Sequence, residues 1–207
     1  MLEHDDHGVA DWPFGSDTPD TSVPTTLPDG RPWPSIHILT PFAPGTPGQP
    51  STDASVAAQN YQAVRHHNVP LGAEGTATVE ALLADPSVDY LLVLRAGDLL
   101  APGALTALAL EAFLAAADVV TGLRVVFGGA VLGLDAIAQG PGNLDGRVPT
   151  GHLGPFTGGE CLLSRKAVNG AGGLDLTHPS PVADLWPRLS GARLARVGRP
   201  VLLQHAP

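Results

Sequence analysis

Residues 90–105, YLLVLRAGDLLAPGAL, constrain the fold more than any other stretch of this 207-residue chain. Tyr90, Leu91, Leu92, Val93 and Leu94 form an unbroken apolar run. Such a run predicts a strand buried on both faces of an α/β sheet. It stops at Arg95-Ala96-Gly97-Asp98, a short polar turn with one carboxylate. Pro102 then predicts a helix start, since a missing N–H costs nothing in a first turn. Leu105, Leu108, Ala109, Ala112, Phe113 and Ala116 follow at the spacing of one helical stripe. Open α/β sheets bind ligands at the carboxyl ends of their strands, so Asp98 is placed either for chemistry or as a turn cap.

Strands and helices alternate on both sides of this stretch. Residues 35–40 predict a first strand ended by Pro41, with His37 inside the sheet. Residues 42–53 carry Pro44, Gly45, Pro47, Gly48 and Pro50 and read as a loop. A short helix is expected over 54–64 with Asp53 as its N-cap. A second strand over 65–70 places His66 and His67 on opposite faces, toward solvent. Helices are expected over 75–84, 165–170 and 181–189, and strand material over 118–127, 158–164 and 196–204. This alternation predicts a single α/β domain with a mostly parallel mixed sheet flanked by helices, over 31–207. Residues 1–30, acidic and rich in proline, predict a flexible lead-in. Residues 128–157, with eight glycines, read equally as a substrate-covering lid or as a connector.

Composition narrows the function classes. A net charge of −9 argues against a nucleic-acid or anionic-membrane surface, while a divalent cation bridging to a diphosphate stays compatible with it. The single cysteine, Cys161, excludes an internal disulfide and sits in an apolar context that suits core packing. The N-terminus lacks the basic and apolar regions of a signal peptide, and no apolar run reaches membrane-span length. The expectation is a cytoplasmic protein without a transmembrane segment. No G-x-G-x-x-G, Walker A, G-x-S-x-G or zinc spacing occurs.

Six segments, in order, resemble the family 2 glycosyltransferases of GT-A fold. Leu27-Pro28-Asp29-Gly30-Arg31-Pro32-Trp33-Pro34 is similar to the lead-in of a subgroup. Residues 35–41 resemble the family's first strand, which ends in Thr-Pro. Ser55-Val56-Ala57-Ala58-Gln59-Asn60-Tyr61 is similar to its Ser-Val-x-x-Gln-x-Tyr helix. Residues 93–105 resemble the Asp-motif strand and the Pro-Gly-x-Leu helix start. Gly172-Gly173-Leu174-Asp175 resembles the Gly-Gly-Phe-Asp turn. Ala183-Asp184-Leu185-Trp186-Pro187-Arg188-Leu189 resembles the segment that carries the catalytic base. Arg95 to Asp98 keeps one carboxylate of the D-x-D-D motif, and Ala183 replaces the usual glutamate. The family's Asp-Gly-x-Ser-x-Asp loop after the second strand has no counterpart in residues 66–74.

The resemblance implies transfer of a sugar from a nucleotide-diphosphate donor to a glycan or other hydroxyl acceptor by a single inverting displacement. Asp184 matches the general base. Thr40, Pro41 and Arg95 fall on the donor side. Asp98 and His205 match ligands of a Mg²⁺ or Mn²⁺ ion. The lost carboxylates leave one alternative open, a catalytically inactive GT-A-like domain that serves as an interaction or regulatory module.

Overall fold

The computed structural model describes residues 23–43, 48–127 and 159–205. The expectations for residues 1–22 and for the segment 128–157 lie outside these described residues. In chain order the elements are β1 (Ile36–Phe42), α1 (Gln49–Ala57), β2 (Val64–Pro70), α2 (Ala73–Ala84), β3 (Tyr90–Val93) and β4 (Leu99–Leu100). There follow α3 (Ala104–Leu114), β5 (Val119–Phe127), β6 (Cys161–Ser164), α4 (Arg165–Gly170), α5 (Pro181–Leu185), a 3-10 turn (Trp186–Leu189) and β7 (Leu194–His205).

The strands form one seven-stranded sheet in the order β2-β1-β3-β6-β5-β7-β4. Pairings β1–β2, β1–β3 and β5–β7 are parallel, whereas β6 and β4 run against their neighbours. The sheet is therefore mixed and mostly parallel, as the alternation of elements predicts.

The unbroken apolar run of β3 has a direct structural reason. Leu92 and Leu94 join Ile36, Ile38, Leu105 and Leu108 on the face covered by α1 and α3. Leu91 and Val93 join Leu39, Val79, Leu83 and Leu185 on the face covered by α2, α4 and α5. A strand with helices on both sides has no face left for polar residues. Where α2 crosses the end of β2, Gly75 is buried with no room for a side chain, since an added Cβ would overlap the Pro70 carbonyl oxygen. Gly75→Ala is expected to lower stability by about 2 kcal/mol, read as a fall in the urea midpoint at constant slope.

Three local expectations are corrected. Helix α1 begins at Gln49 and ends at Ala57, with Gly48 as its N-cap and no side-chain cap, so Asp53 lies inside it. Pro50 falls in the first turn, where proline is tolerated, and this moves the start back into the presumed loop. The β2 histidines do not face solvent: His66 pairs with Thr40 on one face, and His67 stacks on His37 on the other. Finally, α3 starts at Ala104 behind Gly103, because the two-residue strand β4 and Pro102 intervene. The described end of the proline-rich lead-in is also packed. Leu27 is buried, and its N–H and C=O close a turn with Arg31 and Gly30.

Candidate functional site

Strands β1 and β3 lie side by side, but the chain leaves them in opposite directions. From β1 it passes through α1 to the edge strand β2; from β3 it passes through α3 toward β5. Their carboxyl ends therefore flank a topological switch point, where open α/β sheets place ligands. Thr40 and Pro41 close β1 on one side, and the turn Arg95 to Asp98 closes β3 on the other.

Helix α1 and the residue just past its C-cap hold that turn and the segment after it through three polar side chains. Thr52, fully buried, accepts a hydrogen bond from the Gly97 N–H at 2.9 Å and donates to the Asp98 carbonyl at 2.9 Å. Ser55 Oγ accepts from the Leu100 N–H at 3.2 Å. Gln59 donates to the Ala101 carbonyl at 3.0 Å and accepts from the Leu105 N–H at 3.4 Å. Thr52 and Ser55, at i and i+3, share one face of α1, and Gln59 continues the line just beyond its C-cap Ala58. This explains why α1 has so weak an apolar stripe: its inward face reads backbone rather than side chains. Gly97 adopts φ +94°, and Gly48 packs so closely on it that a Cβ on Gly48 would lie 2.7 Å from the Gly97 Cα. The contact itself requires glycine at 48, while glycine at 97 is favoured by its positive φ, since a Cβ there would meet open space.

The turn buries the Asp98 side chain to 2% exposure and leaves Arg95 53% exposed above it. Asp98 Oδ1 lies 3.4 Å from an Arg95 guanidinium nitrogen, and among the described residues Oδ2 has no hydrogen-bond partner. Burial pushes the Asp98 carboxyl up to about 6, against the pull of Arg95; the charge of Glu160 adds to the rise and Arg124 opposes it. Glu160 and Arg124 form their own buried ion pair at 3.4 Å. The site is thus a buried carboxyl, an outward guanidinium, and a second ion pair close enough to act on the carboxyl.

Across the switch point, Thr40 Oγ1 is 2.8 Å from His66 Nε2, and His66 Nδ1 is 3.6 Å from Asp53 Oδ1. Burial lowers the His66 pKa, with Asp53 working against it. Pro41 stands opposite Val69 in the parallel register.

The other two residues sit differently. Asp184 lies in the first turn of α5, and its Oδ2 accepts from Arg188 at 2.6 Å. Arg188 also donates to the carbonyls of Ala171 at 2.7 Å and Gly173 at 3.1 Å, so this pair fastens the Gly172-Gly173 turn. The structure thus brings Arg95 and Asp98 together, while the ion-pair partner of Asp184 is Arg188. His205 ends β7 opposite Phe127, and its side chain is outside the described residues.

The described donor set does not fit a divalent cation. Such ions take several oxygen or nitrogen ligands, and hard ones favour carboxylates. Here one carboxylate is buried beneath an arginine, and the nearby Glu160 is committed to Arg124. Among the described residues no group of three or more His, Cys, Asp or Glu converges.

Sequence reasoning located Asp98 and Arg95 but missed Thr52, Ser55, Gln59, His66, Glu160 and Arg124. The polar spacing of Thr52, Ser55 and Gln59, along α1 and just past its end, is a signal the sequence carries. The Arg124–Glu160 pair, 36 residues apart, leaves none.

No protein-family model matches this chain, and neither does any curated protein. Solved structures do match. Residues 1–349 of Staphylococcus aureus TarS, a glycosyltransferase, align with a TM-score of 0.59 at 9% identity, over 83% of this chain and 60% of that one. The same protein in complex with UDP-GlcNAc aligns with a TM-score of 0.59 at 9% identity, over 84% and 59%. A longer TarS structure aligns with a TM-score of 0.60 at 9% identity, over 83% of this chain and 37% of that one. This chain thus spans less than two thirds of the TarS chains it matches. At this identity the likeness is one of architecture: the chain has a glycosyltransferase-like α/β fold, with Arg95 and Asp98 at its switch point.

Proposed function

We propose that this chain is a glycosyltransferase that takes a sugar from a nucleoside-diphosphate donor and passes it to a hydroxyl acceptor with inversion. One observation carries the reading: a buried carboxyl, one oxygen of which has no partner among the described residues, lies beside a half-exposed guanidinium at the switch point. The TarS complexes with UDP-GlcNAc and with UDP, on the same architecture, support it.

In this scheme the donor lies across the carboxyl ends of β1 and β3. Thr40 and Pro41 flank the nucleoside, and Arg95 faces the diphosphate. The acceptor oxygen attacks the anomeric carbon from the side opposite the diphosphate. The bond from that carbon to the diphosphate oxygen breaks, and its electron pair stays on the departing diphosphate. The acceptor proton goes to a general base, assigned to Asp184, whose Oδ1 takes it while Oδ2 stays with Arg188. Asp184→Asn is expected to lower kcat by about 100-fold or more with donor affinity unchanged. Wild-type kcat in that variant would remove the base assignment. The test of the function itself is release of free nucleoside diphosphate from UDP-, GDP-, CDP- or dTDP-sugars in the presence of hydroxyl acceptors.

A second reading, a non-catalytic GT-A-like module, draws on the Asp184–Arg188 pair. A carboxylate used to fasten a turn has a structural role that needs no chemistry. Donor binding without turnover on any acceptor, unaltered in Asp184→Asn, is its signature.

A further inference from the structure

We propose that the counter-charge for the diphosphate at this site is the Arg95 guanidinium rather than a divalent cation. This rests on the nucleotide-sugar reading above and adds to it how the leaving group is held.

The turn after β3 offers a cation little to bind. Its one carboxylate is 2% exposed and lies beneath Arg95. A cation in contact with Asp98 would sit within a few ångströms of the guanidinium, and the two positive charges would repel across a partly desolvated gap. The neighbouring Glu160 is 5% exposed and paired with Arg124, so freeing it would strand a buried charge.

Arg95, by contrast, is built to receive an anion. It is 53% exposed, and its 3.4 Å contact to Asp98 Oδ1 is longer than a strong charge-assisted bond. One nitrogen is tethered loosely, and the rest of the planar fork remains for phosphate oxygens, which it matches two at a time. Asp98 then acts as a positioning residue that aims the guanidinium. The turn is fixed from behind by Thr52, so the tether has a rigid base. The arrangement also explains how a single carboxylate serves where a metal would need several: with the positive charge on the protein, no metal ligands are required.

The test is calorimetric titration of the full chain with UDP, GDP, CDP and dTDP, in EDTA and again in millimolar Mn²⁺, with Arg95→Gln and Arg95→Lys alongside. The expected result is binding of at least one nucleotide in EDTA, with an affinity changed less than threefold by Mn²⁺. Arg95→Gln should weaken it at least tenfold, and Arg95→Lys should restore part of the loss, since lysine keeps the charge without the fork. Melting midpoints of both variants separate lost binding from lost folding, and the exposed position of Arg95 predicts little change in them. Binding that appears only with Mn²⁺ overturns the inference but leaves the nucleotide reading standing. So does metal-free binding that is indifferent to Arg95→Gln. No binding of any nucleotide under either condition overturns both.

Discussion

Thr52→Val is expected to destabilise the chain by about 2 to 4 kcal/mol, although valine matches threonine in shape. The hydroxyl of Thr52 satisfies two backbone groups at once, the Gly97 N–H and the Asp98 carbonyl. Valine fills the same space and satisfies neither. An unsatisfied buried polar group costs about 1 to 3 kcal/mol, and the Asp98 carbonyl lies in fully buried surroundings. Gly97, held at φ +94° by this contact and by Gly48, then has less to keep it there. The effect should appear as a lower urea midpoint at unchanged slope, together with weaker nucleotide binding, because the turn that aims Arg95 loosens. A neutral Thr52→Val would mean that the turn holds its own shape and that α1 only covers it.

Asp98→Asn is expected to act in the opposite direction. The folded carboxyl titrates at about 6, above its ordinary 3.8, because burial disfavours the charged form. Between those values the native state keeps a proton that the unfolded chain gives up. Stability therefore falls as pH rises from about 4 to about 6, and stays lower above that. The shift corresponds to about 3 kcal/mol at neutral and higher pH. The amide removes that cost, so Asp98→Asn should melt higher than the parent at pH 8, match it near pH 4, and flatten the profile between. Arg95 loses a partner in this variant, but it is half in water and the loss is small. A variant less stable than the parent at pH 8 would show that the ionised Asp98–Arg95 pair holds the fold together. A residue retained at such a cost is one whose value lies outside stability, which fits a site.

How far the sequence reveals all this depends on whether the determining interactions are local. Strand β3 is legible because burial on both faces writes a continuous apolar run. Helix α1 was misplaced because its signal is polar. Its Thr52 and Ser55, with Gln59 just beyond its end, face inward to bond backbone some 45 residues away, and no hydrophobic period marks that face. The two-residue β4 exists only because β7 lies opposite it, at Leu202 and Leu203. The histidines of β2 looked exposed because an edge strand usually is, yet His66 and His67 find Thr40 and His37 on the neighbouring strand. At the site, Asp98 and Arg95 were visible as a short polar interruption of an apolar run. The burial of Asp98 beneath Arg95 was not visible. Nor was the Glu160–Arg124 pair beside it, since it is made by β5 and the residue before β6. The resemblance pointed to a shared architecture, and the solved structures bear out that architecture at an identity too low for any sequence model to register.

The central claim is that a nucleoside-diphosphate sugar binds at the carboxyl ends of β1 and β3. Amide chemical-shift mapping during titration with UDP-, GDP-, CDP- and dTDP-sugars tests it most directly. The account predicts that one of them, at saturating concentration, moves the amides of Thr40, Arg95, Gly97 and Asp98 and leaves those of Lys166, Ala192 and Arg193 at the other end of the sheet in place. Shifts confined to the far end, or none with any of the four, would contradict it.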